Sequence, residues 1–509
     1  MLESDGRLHG APVEDGDFEF QIRATDAAST TVEATFELSV TRVRWLATQT
    51  FPSSASTQTL LSLTDLIEPD AETTRVESQS AHGIAFSPDG RWLIYNSFRS
   101  LEEVDWYAVD TAVETPSERT FLLTNAYMSA CSWAPDGSKL VCHEPSEGAG
   151  ELVYFDATGP EMGSAQPLTS ANRFHWVDGS TLVHASDSGP YWRMSWDAGV
   201  PSEPVPLGVS GLAIVRQSSD GRRAIATVDG SDGAQRVLLD LQTGEASPLP
   251  ESPALTFSDD FAVAVSFEAS EQDPDIATYS FYSVAGLSWS LVGETVATHH
   301  VKYAPGRLPL EGHRLALVKQ NQVSVAVIDE SGFDELVVPG TFGDVRSIEQ
   351  SSTGRWLYIE TGQRNAFGTL FLPETIEHWL SRVEEEEPAR LLAAEFASSS
   401  PAFSPDGQYF RLNGYDSYSD VPVPFHVFDL RDPEQIQDHV LDIPLSWAET
   451  DWSSDSSFVT FLGGSPTLTK RLLFAVDVLA PAAPPRTIFE CSSNPAPLPG
   501  CPNIPVLQP

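Results

Sequence analysis

Two apolar strand-like runs joined by a tight polar turn recur along this chain. The clearest copies are AFSPDGRWLIY from Ala85, SWAPDGSKLV from Ser132 and AFSPDGQYFRL from Ala402. HWVDGSTLVHA from His175, QSSDGRRAIATV from Gln217 and QSSTGRWLYIE from Gln350 keep the same order. TFSDDFAVAVSF from Thr256 and DWSSDSSFVTFL from Asp451 are weaker copies, and another begins at Tyr303-Ala304-Pro305-Gly306 and resumes, after an insertion, at Leu315-Ala316-Leu317-Val318. Apolar runs on both sides of a turn predict strands buried on both faces. A third strand ending near an Asp follows many hairpins, as in Trp106 to Asp110, Leu152 to Asp156, Val237 to Asp240, Val325 to Asp329 and His426 to Asp429. A short fourth follows, as in Thr120 to Leu123 and Ala389 to Leu392. The unit repeats every 40 to 50 residues or so, roughly the size of a four-stranded propeller blade.

The turn itself has a physical reading. Pro at the second position presets φ, Asp suits the third, and Gly accepts the left-handed conformation that ends the turn. Asp89, Gly90, Asp136, Gly137, Asp178, Gly179, Asp220, Gly221, Asp406 and Gly407 are therefore read as turn formers, not as ligands or catalysts. The predicted fold is all-β, a large propeller of eight or nine four-stranded blades, with two smaller propellers as the alternative. Leu60 to Leu63 and Thr74 to Glu77 precede the first hairpin and are expected to complete the blade begun near Asp451. One segment is ambiguous: Ile376, Trp379, Leu380 and Val383 have helical spacing, yet aligned with the other units His378 to Val383 falls where a third strand belongs.

Together these copies resemble the TolB-like, WD-like (PD-type) β-propeller repeat family over about residues 55 to 490. The resemblance implies a propeller and an extracytoplasmic location, in the periplasm, on the outer-membrane surface or secreted. Upstream, GDFEFQIRATD and VEATFELSV alternate polar and apolar residues around AASTT, which predicts a hairpin. With Leu8, Gly10-Ala11-Pro12, Gly16, Phe18, Phe20 and Phe36-Leu38-Val40, it resembles the second half of a bacterial putative-Ig or cadherin-like domain. A lone hairpin cannot bury both faces, so either strands upstream of the chain or the body of the protein should cover it. The expected organisation is a partial Ig-like segment over 1–44, a linker over 45–58, the propeller over 59–490 and a Pro-rich tail over 491–509.

Charge narrows the partners. The chain of 509 residues carries 72 acidic residues against 29 Lys and Arg, a net charge of -43. With no visible basic patch, nucleic acid is an unsuitable partner, while cations and basic protein surfaces suit it. The bland alternative is an acidic coat that keeps the protein soluble. No apolar run approaches the roughly 20 residues of a membrane span, and the opening Met1 to Gly6 is too polar for a signal peptide. Calcium is the one cofactor to weigh, at Asp15, Asp17 and Asp26, at Asp273 with Asp275, or at Asp229 with Asp232; ordinary acidic turns and loops account for the same residues.

Four cysteines are too few for a disulfide framework but compatible with an oxidising compartment. Cys491 and Cys501 bracket the Pro-rich SSNPAPLPG and are expected to pair. Cys131 and Cys142 lie on the two arms of one hairpin; a two-residue Asp136-Gly137 turn would place them directly opposite, whereas a three-residue Pro135-Asp136-Gly137 loop sets Cys131 opposite Val141, and because Pro135 lacks the N–H of the tighter register, two unpaired, buried thiols are expected.

Catalytic motifs are missing: there is no Gly-x-Ser-x-Gly elbow, although Gly208 to Leu212 approaches it, no His-Glu-x-x-His helix and no phosphate-binding glycine loop. His82, His143, His175, His184, His299 and His300 fall near predicted strands and read as structural. The expectation is a monomeric, non-catalytic binding or scaffold protein of the bacterial envelope or cell surface, holding a protein or glycan on a propeller face. The alternative is an extracytoplasmic hydrolase or lyase with its site in the funnel, which a convergent cluster of carboxylates and histidines would favour.

Overall fold

A computed structural model describes residues 16–507 apart from 26–30, 41–42, 51–58, 69–72, 78–80, 99–103, 114–115, 117, 126–130, 145–149, 187–188, 198, 231–232, 251–254, 271, 274–275, 299–312, 320–321, 330–331, 341, 343, 364–374, 384–389, 393–398, 415–424, 442, 444–446, 465–469, 481–484 and 493–501. Among the described residues every element longer than one turn is a β-strand. The strands form antiparallel, mostly four-stranded sheets taken in chain order, the blades of a β-propeller. Two compact units share them, residues 79–398 and residues 1–78 with 399–509.

The first of these units holds blades 2 to 8, over residues 81–125, 131–170, 173–210, 211–248, 255–298, 314–337 and 344–391. Blades 4 and 5 share one continuous strand, Val205–Gln217, whose first part pairs with Pro190–Asp197 and whose last part pairs with Arg223–Gly230. Each blade buries both faces, as the apolar runs require. Trp92, Trp106, Leu140, Cys142 and Phe155 fill the space between blades 2 and 3; Val141, Leu152, Trp176, Leu182 and Trp196 fill that between blades 3 and 4. Removing one such side chain from water contributes about 1.5–3 kcal/mol.

The second unit holds blades 9 (399–441), 10 (447–492) and 1, together with the paired strands Gly16–Thr25 and Thr31–Val40. That hairpin is a two-stranded sheet of its own, with Phe18 opposite Leu38 and Phe20 opposite Phe36. In blade 1 the strands Trp45–Thr50, Leu60–Asp65 and Thr74–Glu77 are joined by Pro502–Leu507, which pairs with Trp45–Thr50. Two expectations change here. The strands before the first hairpin do not complete the blade near Asp451, which has four strands of its own; they make a separate blade closed by the C-terminal segment, and the count is ten, not eight or nine. The spans read as linker and tail therefore each contribute a strand. Glu377–Arg382 is a strand pairing with Trp356–Gly362, so tertiary pairing overrides the helical spacing.

The disulfide expectation is also corrected. Cys131 stands directly opposite Cys142, and the two are bonded. Ala134 N–H donates to the Lys139 carbonyl at 2.8 Å, and Gly137 N–H to the Ala134 carbonyl at 2.9 Å. The loop thus holds four residues, 135–138, one more than the three-residue reading, and the extra residue restores the register in which the sulfurs meet. The expected Cys491–Cys501 pair lies outside the described residues at Cys501.

Candidate functional site

Five of the hairpin turns are built alike, and the serine two residues before the Asp explains why. In blade 5, Ser218 Oγ donates to Asp220 Oδ1 at 2.6 Å and accepts from Arg223 N–H at 2.9 Å. Asp220 Oδ1 also accepts from Arg222 N–H at 3.0 Å. Ser258 with Asp260, Ser404 with Asp406 and Ser453 with Asp455 repeat the arrangement, as does Ser87 with Asp89. One carboxylate oxygen is consumed by the turn, so the loop's buried N–H groups are satisfied without water. Gly90, Gly137, Gly221 and Gly407 take positive φ at the end of the turn; Phe261 and Ser456 take it in the two weaker copies.

The turns of blades 3, 4 and 5 meet around a cleft of about 370 Å³. Pro135 and Asp136 from blade 3, Trp176 to Gly179 from blade 4 and Gln217 to Gly221 from blade 5 line it. Trp176 and Val177 are buried and supply an apolar base. Trp176 is fixed there by its indole N–H, which donates to the Ser132 carbonyl at 3.1 Å. Gln217 Nε2 donates to the Trp176 carbonyl and, at 2.8 Å, to the Gly221 carbonyl. At the rim, Asp136 Oδ1 accepts from Ser138 N–H at 3.0 Å and Asp178 Oδ1 from Ser180 N–H at 2.7 Å. With Asp220, three carboxylates hold fixed orientations around one opening, and no Lys or Arg is among the lining residues. The nearest described ammonium, Lys139 Nζ, sits on Ser138 Oγ at 2.9 Å and near the Gly179 carbonyl at 3.5 Å.

Of the residues assigned to turns, the cleft gathers Asp136, Asp178, Gly179, Asp220 and Gly221 and leaves Asp89, Gly90, Asp406 and Gly407 on other blades. The turn role and a place on a binding surface are compatible, because each Asp spends one oxygen on its loop. This gathering was illegible in the sequence, where the three carboxylates are some 40 residues apart.

The histidines divide. His184 is buried on Thr181–Ala185 with neither ring nitrogen hydrogen-bonded among the described residues, and burial pushes it down to about 4. Burial also lowers His143, against a hydrogen bond from its ring to the Asn172 carbonyl that raises it, and lowers His175 with help from the Arg173 charge. The side chain of His82 and all of His299 and His300 lie outside the described residues. Three histidines that sequence reasoning passed over make polar contacts. His313 Nε2 meets Asp260 Oδ2 at 2.8 Å, His378 Nδ1 meets the Tyr358 hydroxyl at 2.7 Å, and His426 Nδ1 meets Asp438 at 2.9 Å. The only sequence signal for His313 is its position at the point where the interrupted repeat resumes.

Among the described residues no group of three or more His, Cys, Asp or Glu is placed to hold a metal. Asp15, Asp26, Asp232 and Asp275 of the calcium candidates lie outside those residues. No described helix is long and apolar enough to cross a membrane.

No protein-family model matches the chain, and no curated protein matches it. Solved structures do. The chain is similar to a eukaryotic initiation factor at 13% identity over 92% of this chain and 99% of that one, with a TM-score of 0.46. It is similar to TolB from Acinetobacter baumannii at 18% identity over 53% and 75% of the two chains, TM-score 0.27, and to the Dos1 propeller at 12% over 75% and 89%, TM-score 0.31. Likeness at this level assigns neither family nor activity, and the propeller assignment stands on the chain's own sheets.

Proposed function

We propose that this protein is a non-catalytic binding scaffold, and that its cleft receives a Lys- or Arg-bearing segment of a partner protein. The observation that carries this reading is the cleft's makeup: Asp136, Asp178 and Asp220 around an opening based on Trp176 and Val177. An alkyl stem laid on the apolar base, with its cation among fixed carboxylates, uses both parts of the site. The net charge of -43 adds a long-range field that draws basic partners in and repels polyanions. The Cys131–Cys142 disulfide supports placing the scaffold in an oxidising, extracytoplasmic compartment of the bacterial envelope or surface. A neutral glycan would use the Trp176 base and the Gln217 amide but leave the carboxylates without a counter-charge.

Calorimetric titration with a lysine-rich peptide, an arginine-rich peptide and a neutral oligosaccharide separates these ligands. Saturable peptide binding that weakens as salt rises is expected. Binding of the oligosaccharide alone would move the reading to a glycan scaffold, and breakdown of an added polymer would overturn the non-catalytic assignment.

A further inference from the structure

The hairpin that forms one wall of the cleft is the hairpin that carries the disulfide. Its described first strand, Cys131–Trp133, pairs with Lys139–Glu144. Its three pairs are Cys131 with Cys142, Ser132 with Val141 and Trp133 with Leu140. The sulfur bridge sits at the opposite end of the described hairpin from the Pro135-Asp136 tip that lines the cleft. The Ser132 carbonyl, between them, is the acceptor that fixes the Trp176 indole at the cleft base. The turn also lacks the serine brace found in blades 2, 5 and 6, having Ala134 where they have Ser87, Ser218 and Ser258. Cys131 is half-buried and Cys142 fully buried, so a reductant approaches through Cys131.

We infer that the Cys131–Cys142 disulfide is a redox-sensitive latch that holds the Pro135-Asp136 wall and the Trp176 base of the cleft in their binding positions. The inference rests on the proposed role of the cleft. A dithiol reductant supplies the two electrons and two protons: one of its thiolates attacks a sulfur of the bridge, the resulting mixed disulfide is resolved by its second thiol, and two protein thiols and a cyclic disulfide result. The hairpin then lacks its covalent tie, and its local opening becomes cheaper.

Hydrogen exchange of residues 131–142, measured on the folded chain before and after reduction with dithiothreitol, reads the latch without any ligand. The double variant Cys131→Ser/Cys142→Ser repeats the comparison with the tail cysteines untouched. Protection of this segment is expected to fall at least about tenfold in both the reduced and the variant protein, with the exchange of blades 6 to 8 unchanged, and lysine-rich peptide affinity to fall in parallel. Unchanged protection after complete reduction overturns the latch, whatever the peptide does. Lost protection in a chain whose oxidised form binds no peptide keeps the latch and overturns the function proposed for the cleft.

Discussion

Asp260 and His313 lie on neighbouring blades, and Asp260 Oδ2 meets His313 Nε2 at 2.8 Å across the gap between their turns. Burial opposes charge on Asp260, but hydrogen bonds from His313, Ser258 and the Ala262 N–H outweigh it and hold the carboxyl well below its usual range. A carboxyl depressed in the folded state contributes stability that is present above its unfolded value near 3.9 and is lost as pH falls further towards the folded value. His313→Ala removes one of these donors, so it should cost about 1 kcal/mol at neutral pH and move acid unfolding to higher pH. His313 also has a positive φ of 60°. His313→Gly relieves that strain and should cost less than His313→Ala, which chemical denaturation at pH 7 and acid titration followed by circular dichroism would check.

His184 titrates with the opposite chemistry and the same sign. Its imidazole is buried beside Phe174 and Trp192, its partners in register, and is pushed down to about 4. Between that value and about 6.5 the unfolded chain binds a proton that the folded chain refuses, so stability falls as pH drops through this window. The full effect is about 3 kcal/mol. His184→Phe should flatten this part of the stability profile, and urea denaturation at pH 7, 5.5 and 4.5 would show it; an unchanged slope would contradict the assignment.

Gly221 and Gly286 both have positive φ, 69° and 60°, but only Gly221 is crowded. A Cβ on Gly221 would overlap the Val177 carbonyl at the cleft, whereas one on Gly286 meets nothing within 4 Å. Gly286→Ala should therefore cost about 1 kcal/mol, the price of the backbone conformation. Gly221→Ala should cost more than about 3 kcal/mol, because backbone of a neighbouring blade has to shift. Thermal unfolding of the two variants side by side makes the comparison.

The blades were legible because their signal is local and repeated: a Ser-Pro-Asp-Gly turn between apolar runs dictates a hairpin wherever it stands. What was misread depended on pairing between distant residues. Pro502–Leu507 reads as tail because its partner, Trp45–Thr50, lies at the other end of the chain, so both the tenth blade and its closure were missed. Cys131 and Cys142 were separated by one residue of loop length, a difference that Ala134 opposite Lys139 decides and that turn spelling alone does not. The cleft was out of reach for a related reason. Each of Asp136, Asp178 and Asp220 has a sufficient local explanation in its own turn, and only blade-to-blade packing brings them to one opening.

The central claim is that these three carboxylates act as a site and not as part of a general acidic coat. The measurement that tests it is the affinity of a lysine-rich peptide for two triple variants of equal charge, Asp136→Asn/Asp178→Asn/Asp220→Asn in the cleft and Glu161→Gln/Asp197→Asn/Glu203→Gln at exposed positions outside its lining. Asn preserves the turn-forming side-chain oxygen, so the cleft keeps its shape. The account predicts at least about a tenfold loss for the first variant and less than about twofold for the second. Equal losses in both would contradict it and leave only the acidic coat.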